Sequence, residues 1–232
     1  MRVPPGFPSG RTYAAGLYEP AVTKAILELV RPGMTVVDVG ANVGYYTLLA
    51  SRLVGPGGRV YSFEPVLSIF EVLLSNLRDN DCDNVTAERK AISDRSGDGR
   101  FLVDRYGTEG RLVAKGGHIV VECTTLDEYF GALGWPAVDV VKMDIEGGEP
   151  AALSGMRELV QRSPRLRIIL ELNWPALRAA GWEHRELALL LYNLGFRKGR
   201  VLEREGETFE LPWELPRSQA TSNLLLNKAD RG

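Results

Sequence analysis

One stretch restricts this chain more than any other: Thr35-Val36-Val37-Asp38-Val39-Gly40-Ala41-Asn42-Val43-Gly44-Tyr45-Tyr46-Thr47. Its β-branched run reads as a short buried strand, and two glycines with three residues between them follow. Gly40 permits a sharp turn off the strand. Gly44 permits backbone to come close to a ligand that a Cβ would hold away. From Tyr45 onward the pattern is helical. A buried strand, a glycine turn and a helix N-terminus in that order make a nucleotide-cofactor site, because the first N–H groups of the helix have no intrahelical partners. The next strand, 59–63, ends at Glu64, 24 residues beyond Gly40. A doubly wound fold places a carboxylate near that point to hold ribose hydroxyls.

The same residues say which cofactor to expect. A dinucleotide fingerprint needs Gly-x-Gly-x-x-Gly, whereas here Ala41 and Asn42 follow the first glycine and Asp38 precedes it. That carboxylate would repel a pyrophosphate and attract a sulfonium cofactor carrying a free α-amino group. Asp38-x-Gly40-Ala41-Asn42-x-Gly44 resembles the first motif of the S-adenosylmethionine (SAM)-dependent methyltransferases. An ordinary βα turn in another α/β protein is the competing reading.

Composition removes several classes. The 232 residues are 44% apolar and 25% charged, an ordinary balance for a soluble chain with a sizeable core. A net charge of −2 argues against a protein that lives on nucleic acid. Cys82 and Cys123 fit no metal or redox spacing and read as buried or indifferent thiols in a reducing compartment. No cationic segment followed by an apolar one opens the sequence, and no apolar run approaches membrane-spanning length. A cytoplasmic location away from membranes is the expectation.

The remaining pattern alternates strand and helix. Residues 1–16 carry three prolines and three glycines and read as an irregular lead-in, followed by a helix over 19–30 that Pro32-Gly33 stops. After Glu64-Pro65 come a helix over 67–78, a strand over 85–91 and a polar turn over 92–98. Strands at 101–103 and 119–124 flank a glycine-containing loop, and a short helix spans 126–133. A strand at 138–143 leads to one helix reaching about residue 161, with Pro150 in its first turn, where its missing N–H costs nothing. A strand at 166–170, a helix at 183–193, and final antiparallel strands at 196–204 and 221–227 complete the chain. The class is α/β, a mostly parallel, doubly wound Rossmann-like sheet with an antiparallel last strand. The expected organisation is a lead-in and helix over 1–33 and one domain over 34–232.

Four signatures in order carry a more specific resemblance. They are Asp38-Val39-Gly40-Ala41-Asn42-Val43-Gly44, Phe63-Glu64-Pro65, Thr125-Leu126-Asp127, and Lys142-Met143-Asp144-Ile145-Glu146-Gly147-Gly148-Glu149. Together they resemble the FkbM-type methyltransferases from about residue 35 to 171. The resemblance implies a class I methyltransferase fold, SAM as methyl donor, and a hydroxylated small-molecule acceptor such as a polyketide or sugar. Asp38 and the turn Gly40, Ala41, Asn42, Gly44 would then hold the methionine portion of SAM. Glu64 would take both ribose hydroxyls, and Pro65, Ala91 and Ile92 would flank adenine. Glu19 would close over the cofactor, unless it merely suits a helix N-terminus. Asp144 would sit near the sulfonium.

Methyl transfer to a hydroxyl gains from a base that takes its proton. Asp144, Glu171 and His184 are the chosen candidates, with Glu146 and His118 behind them; strand ends fix geometry best, which favours the two carboxylates. For each lone histidine a structural role is the better reading. Asp144 and Glu171 with Asn173 would also suit Mg²⁺, a weaker reading that leaves the metal question open. Trp174 and Trp182 fit an acceptor pocket and core packing equally well. An RNA or protein acceptor would draw on the basic runs 157–167 and 197–204, which read better as solvated faces lacking aromatic residues for base stacking. The oligomeric state is not legible.

Overall fold

The computed structural model describes residues 1–4, 12–13, 15–16, 18–103, 110–113, 116–216 and 221–228. Much of the predicted lead-in and of the glycine-containing loop lies outside them. The fold is α/β with a mostly parallel central sheet and an antiparallel C-terminal strand, as the sequence pattern predicts. The chain divides into two compact units, one of residues 1–91 and 98–122, the other of 92–97 and 123–232.

In the first unit, helix α1 (Pro20–Leu29) starts on a proline and buries Val22, Ala25, Ile26 and Leu29 on one face. Strand β1 (Thr35–Val39) buries its last four residues. Helix α2 (Tyr45–Val54) begins at Gly44 and ends at Gly55, both in the left-handed region. Strand β2 (Arg59–Phe63), helix α3 (Leu67–Asp79) and strand β3 (Val85–Glu88) follow. β2 pairs in parallel with β1 on one side and β3 on the other, with Asp38 opposite Ser62 and Val39 opposite Phe63. The predicted strand over 85–91 is broken: β3 ends at Glu88, whose carbonyl accepts the Glu64 N–H, and β4 (Ala91–Ile92) is a separate short piece. β5 (Gly97–Val103) pairs antiparallel with β6 (Gly110–Leu112), a strand the sequence pattern did not suggest. β7 (Ile119–Thr124) lies where it was predicted. Asn76 is fully buried in α3, and its amide donates to the carbonyls of Val43 and Arg2 at 2.8 and 2.9 Å. It ties the glycine turn to the start of the chain.

In the second unit, helix α4 (Leu126–Ala132) is capped by Thr125, whose side chain accepts the Glu128 N–H at 2.9 Å. Strand β8 (Val140–Met143) is fully buried and starts two residues later than expected, since the Val138 N–H goes to the Ser163 hydroxyl instead of a ladder. The single helix predicted to residue 161 is two, α5 (Glu149–Ser154) and α6 (Arg157–Arg162). Gly155 between them meets other backbone: a Cβ there would lie 2.2 Å from the Ser93 carbonyl oxygen. That close approach, unreadable from periodicity, breaks the helix. Asp127 caps α6, its two carboxylate oxygens accepting the N–H groups of Glu158 and Leu159 at 3.0 and 2.8 Å.

Strand β9 (Arg167–Asn173) runs three residues further than predicted, so Glu171 sits inside the strand. Short helix α7 (Trp174–Ala179), absent from the sequence reading, starts where Asn173 Oδ1 accepts the Ala176 N–H. Helix α8 (His184–Asn193) and strands β10 (Phe196–Val201), β11 (Thr208–Glu210) and β12 (Thr221–Lys228) complete the unit. The strand order is β11-β10-β12-β9-β8, with β8 and β9 parallel and the others antiparallel. No helix among the described residues is long and apolar enough to cross a membrane. Cys82 is half-buried and Cys123 is buried, and no disulfide joins them.

Candidate active site

The first unit builds a turn that is closed upon itself. The N–H groups of Gly40 and Ala41 both donate to the Phe63 carbonyl at 3.0 Å, so the ends of β1 and β2 are tied together. Asn42 has φ of 51°, a left-handed conformation that asparagine tolerates better than most residues. Its N–H donates to Glu64 Oε2 at 3.0 Å, and its side-chain oxygen accepts the Val43 N–H at 2.8 Å. The Gly44 N–H returns to the Ala41 carbonyl at 2.9 Å. All five N–H groups of the turn are thus engaged inside the first unit.

Gly44 is confined twice over. Its φ is 95°, and a Cβ there would lie 2.6 Å from Leu73 Cδ1. The two carboxylates are equally fixed. Asp38 is 1% exposed and its Oδ2 accepts the Thr47 hydroxyl at 2.6 Å. Glu64 is buried, with Oε2 on the Asn42 N–H and Oε1 on the Val66 N–H at 2.9 Å. Each carboxylate oxygen carries two lone pairs, so Glu64 keeps capacity to accept from a pair of hydroxyls. The residues present therefore suit SAM: a pre-set carboxylate for vicinal hydroxyls, a buried one for an ammonium, and a helix N-terminus for a carboxylate.

Glu19 adopts φ of 39° and does not cap α1 with its side chain. Its Oε2 instead accepts the Tyr46 hydroxyl at 2.7 Å. Burial, reinforced by the Glu19 charge, drives the Tyr46 phenol far above its ordinary value. The rings of Tyr13, Tyr18, Tyr45 and Tyr46 surround this contact, with centroids 4.3 to 6.1 Å apart. Pro65 is half-buried and Ala91 and Ile92 are buried.

The second unit gathers three acidic side chains. Carboxylate oxygens of Asp144, Glu146 and Glu171 all lie within 4.8 Å of one another. The pairing of β8 with β9 sets Met143 opposite Leu170, which brings the next residues, Asp144 and Glu171, side by side. Glu146, with φ of 53°, sits in the loop after β8, and Asn173 Nδ2 donates to its Oε2 at 2.7 Å. Lys142 Nζ lies 3.0 Å from Asp144 Oδ2.

The charges are unequal. Burial alone would raise the Asp144 carboxyl, but the Lys142 ammonium and hydrogen bonds from Glu171 and Lys142 hold it below its usual range. Glu171 is pushed up to about 11 by burial, by the Asp144 charge, by the hydrogen bond with Asp144 and by Glu146. The Lys142 ammonium beside Asp144 thus favours charge on Asp144 and the shared proton on Glu171. Beside them, fully buried Glu149 takes the Ile145 and Gly147 N–H groups on Oε1 at 3.0 and 3.2 Å, which clamps the loop bearing Glu146. Burial outweighs these bonds and raises Glu149 to about 7.

Among the described residues, three clustered carboxylates are also a geometry that suits a divalent ion. Neither histidine joins them. His184 Nε2 lies 2.6 Å from the Leu215 carbonyl and its ring stacks on buried Trp174 at 5.1 Å. His118 is exposed. Trp182 is half-buried. The basic runs are largely absorbed locally: Arg162 pairs with Glu158 and lies over Trp135, Arg197 lies over the Tyr192 ring, and Arg204 pairs with Glu207. Sequence reasoning gave no role to Lys142, Thr47 or Asn76. The one available signal was Lys142, a charge interrupting an otherwise apolar strand.

Comparison with known proteins agrees with this geometry. The profile of the methyltransferase FkbM domain matches residues 38–198. The hexuronic acid methyltransferase AglP of Haloferax volcanii is 29% identical over 144 residues, covering 62% of this chain and 58% of that protein. The 31-O-demethyl-FK506 methyltransferase FkbM of Streptomyces tacrolimicus is 27% identical over 175 residues, covering 61% of this chain and 65% of that protein. The chain spans less than two thirds of the length of these curated relatives. Among solved structures, a SAM-dependent methyltransferase from Aquifex aeolicus aligns with a TM-score of 0.53 at 18% identity, over 96% of this chain and 94% of that one. Aeropyrum pernix fibrillarin, solved with natively bound SAM, aligns with a TM-score of 0.52 at 16% identity, over 89% and 72%. What these structures share with the chain is the class I methyltransferase fold.

Proposed function

The chain belongs to the FkbM methyltransferase family, and from that membership we propose that it transfers the methyl group of SAM to a hydroxyl of a small molecule. The observation that carries this reading is the carboxylate pair in the second unit, where Asp144 and Glu171 lie side by side after the paired strands, with the Lys142 ammonium 3.0 Å from Asp144. A neutral hydroxyl is a poor nucleophile and needs an acceptor for its proton. Asp144 is the acceptor carboxylate. Glu171 donates a hydrogen bond and steadies that charge, which revises the expectation that either would serve equally. His184, committed to Leu215 and Trp174, takes a structural part.

SAM supplies an electrophilic methyl group on a positively charged sulfur. Asp38, steadied by Thr47, takes the ammonium of its methionine portion, and the first turn of α2 takes the carboxylate. Glu64, already oriented by Asn42 and Val66, takes the ribose hydroxyls. Pro65, Ala91 and Ile92 line the adenine. Glu19 is held by Tyr46 over the start of α2. Most of the catalysis is positioning of donor and acceptor in line.

The relatives named for a hexuronic acid and for 31-O-demethyl-FK506 favour a hydroxylated metabolite as acceptor. Cytoplasmic residence, the expectation from the sequence, is part of this proposal. A protein acceptor is the second reading, favoured by short matches to three protein-L-isoaspartate O-methyltransferases, of which that of Aeropyrum pernix is 41% identical over 70 residues, 29% of this chain. The decisive experiment incubates the protein with methyl-labelled SAM and, separately, hydroxylated small molecules, bulk RNA and protein. Label in the small-molecule fraction supports the proposal. Label in protein or RNA alone overturns it.

A further inference from the structure

Lys142 is 5% exposed in a strand otherwise made of Val140, Val141 and Met143. An ammonium in such a place is strongly unfavourable unless paired. Residues two apart on a strand share a face, so Lys142 and Asp144 project together from β8. The parallel register sets Lys142 opposite Ile169, which puts Glu171, two residues on, on that same face of β9. Lys142 Nζ reaches Asp144 Oδ2 at 3.0 Å, at the rim of the Asp144, Glu146 and Glu171 group.

We propose that the Lys142 ammonium is the resident counter-cation of these three carboxylates, doing the work a divalent ion does in an all-carboxylate cluster. Lys142 is then a positioning residue: it acts on the acceptor hydroxyl only through Asp144. The fixed positive charge of Lys142, 3.0 Å from Asp144, makes the group a poor host for a second cation while the lysine is present. The charged and titratable groups facing Asp144 and Glu171 are Lys142, Glu146 and, beyond Asp144, Glu149.

The test uses Mn²⁺ alone with the purified full chain, read by calorimetry and by the electron-spin signal of free Mn²⁺. Wild type and Lys142→Arg are expected to show no saturable binding. Lys142→Met should bind at least about tenfold more tightly than wild type, because one buried positive charge is gone, and Lys142→Met/Glu146→Gln should lose the gain. Saturable micromolar binding by wild type overturns the proposal, as does a folded Lys142→Met that gains nothing. Should Lys142→Met not fold, Lys142→Gln takes its place, and a folded Lys142→Gln that gains no Mn²⁺ affinity refutes the proposal. The role in turnover rests on the hydroxyl-acceptor reading above. The cation titration does not, so failure of one is distinguishable from failure of the other.

Discussion

The turn between β1 and α2 and the carboxylate group on β8 and β9 both bury acidic side chains, but they hold them by opposite means. In the first unit each carboxylate rests on fixed donors, Thr47 for Asp38 and the Asn42 and Val66 N–H groups for Glu64. In the second, Asp144, Glu146, Glu149 and Glu171 crowd one another, and Lys142 is the ammonium set against them. The first arrangement sets geometry. The second stores a difference in proton affinity, which suits a step that moves a proton.

Five substitutions break or sharpen that contrast. Asp144→Asn should cost most, about 3–4 kcal/mol in urea unfolding, because it strands a buried ammonium; the isosteric Glu171→Gln should cost far less, since Glu171 already carries a proton. The Glu149 effect is pH-dependent. Its folded value of about 7 lies above the ordinary 4.5, so the folded state holds the proton more tightly than the unfolded chain. Its contribution to stability is therefore full below pH 4.5 and lost as pH rises through 7. Unfolding measured at pH 5 and pH 8 should show the difference between Glu149→Gln and wild type moving in favour of glutamine by about 3 kcal/mol. In the first unit, Asp38→Ala should weaken calorimetric SAM binding by about 100-fold, or roughly 2.7 kcal/mol, with metal titrations unchanged. Smallest, Asp127→Ala should destabilise by about 1–2 kcal/mol through the lost cap of α6, leaving SAM affinity intact.

The two regions also differ in how far they can be read from residues in a row. β1, α2 and β2 fall within a residue of their predicted bounds, and Asp38, Gly40, Asn42, Gly44 and Glu64 lie where strand, turn and helix signals put them. The break at Gly155, by contrast, exists because Ser93 backbone passes there, 62 positions away in sequence. Asp127 belongs to a signature of the family resemblance and caps a helix 30 residues on, a role its neighbours in sequence do not show. α7 and β11 are too short for any periodicity to announce them.

Local chemistry alone determined the strand-turn-helix unit and its two carboxylates, because steric limits on φ and the spacing of apolar residues act between near neighbours. It could nominate Asp144 and Glu171, but not say which holds the proton. That was decided by the register of β8 against β9, which sets the two carboxyls side by side in a buried place, and by one lysine near enough to favour charge on only one of them. Proton affinity depends on distances across the fold, and those exist only once the chain has folded.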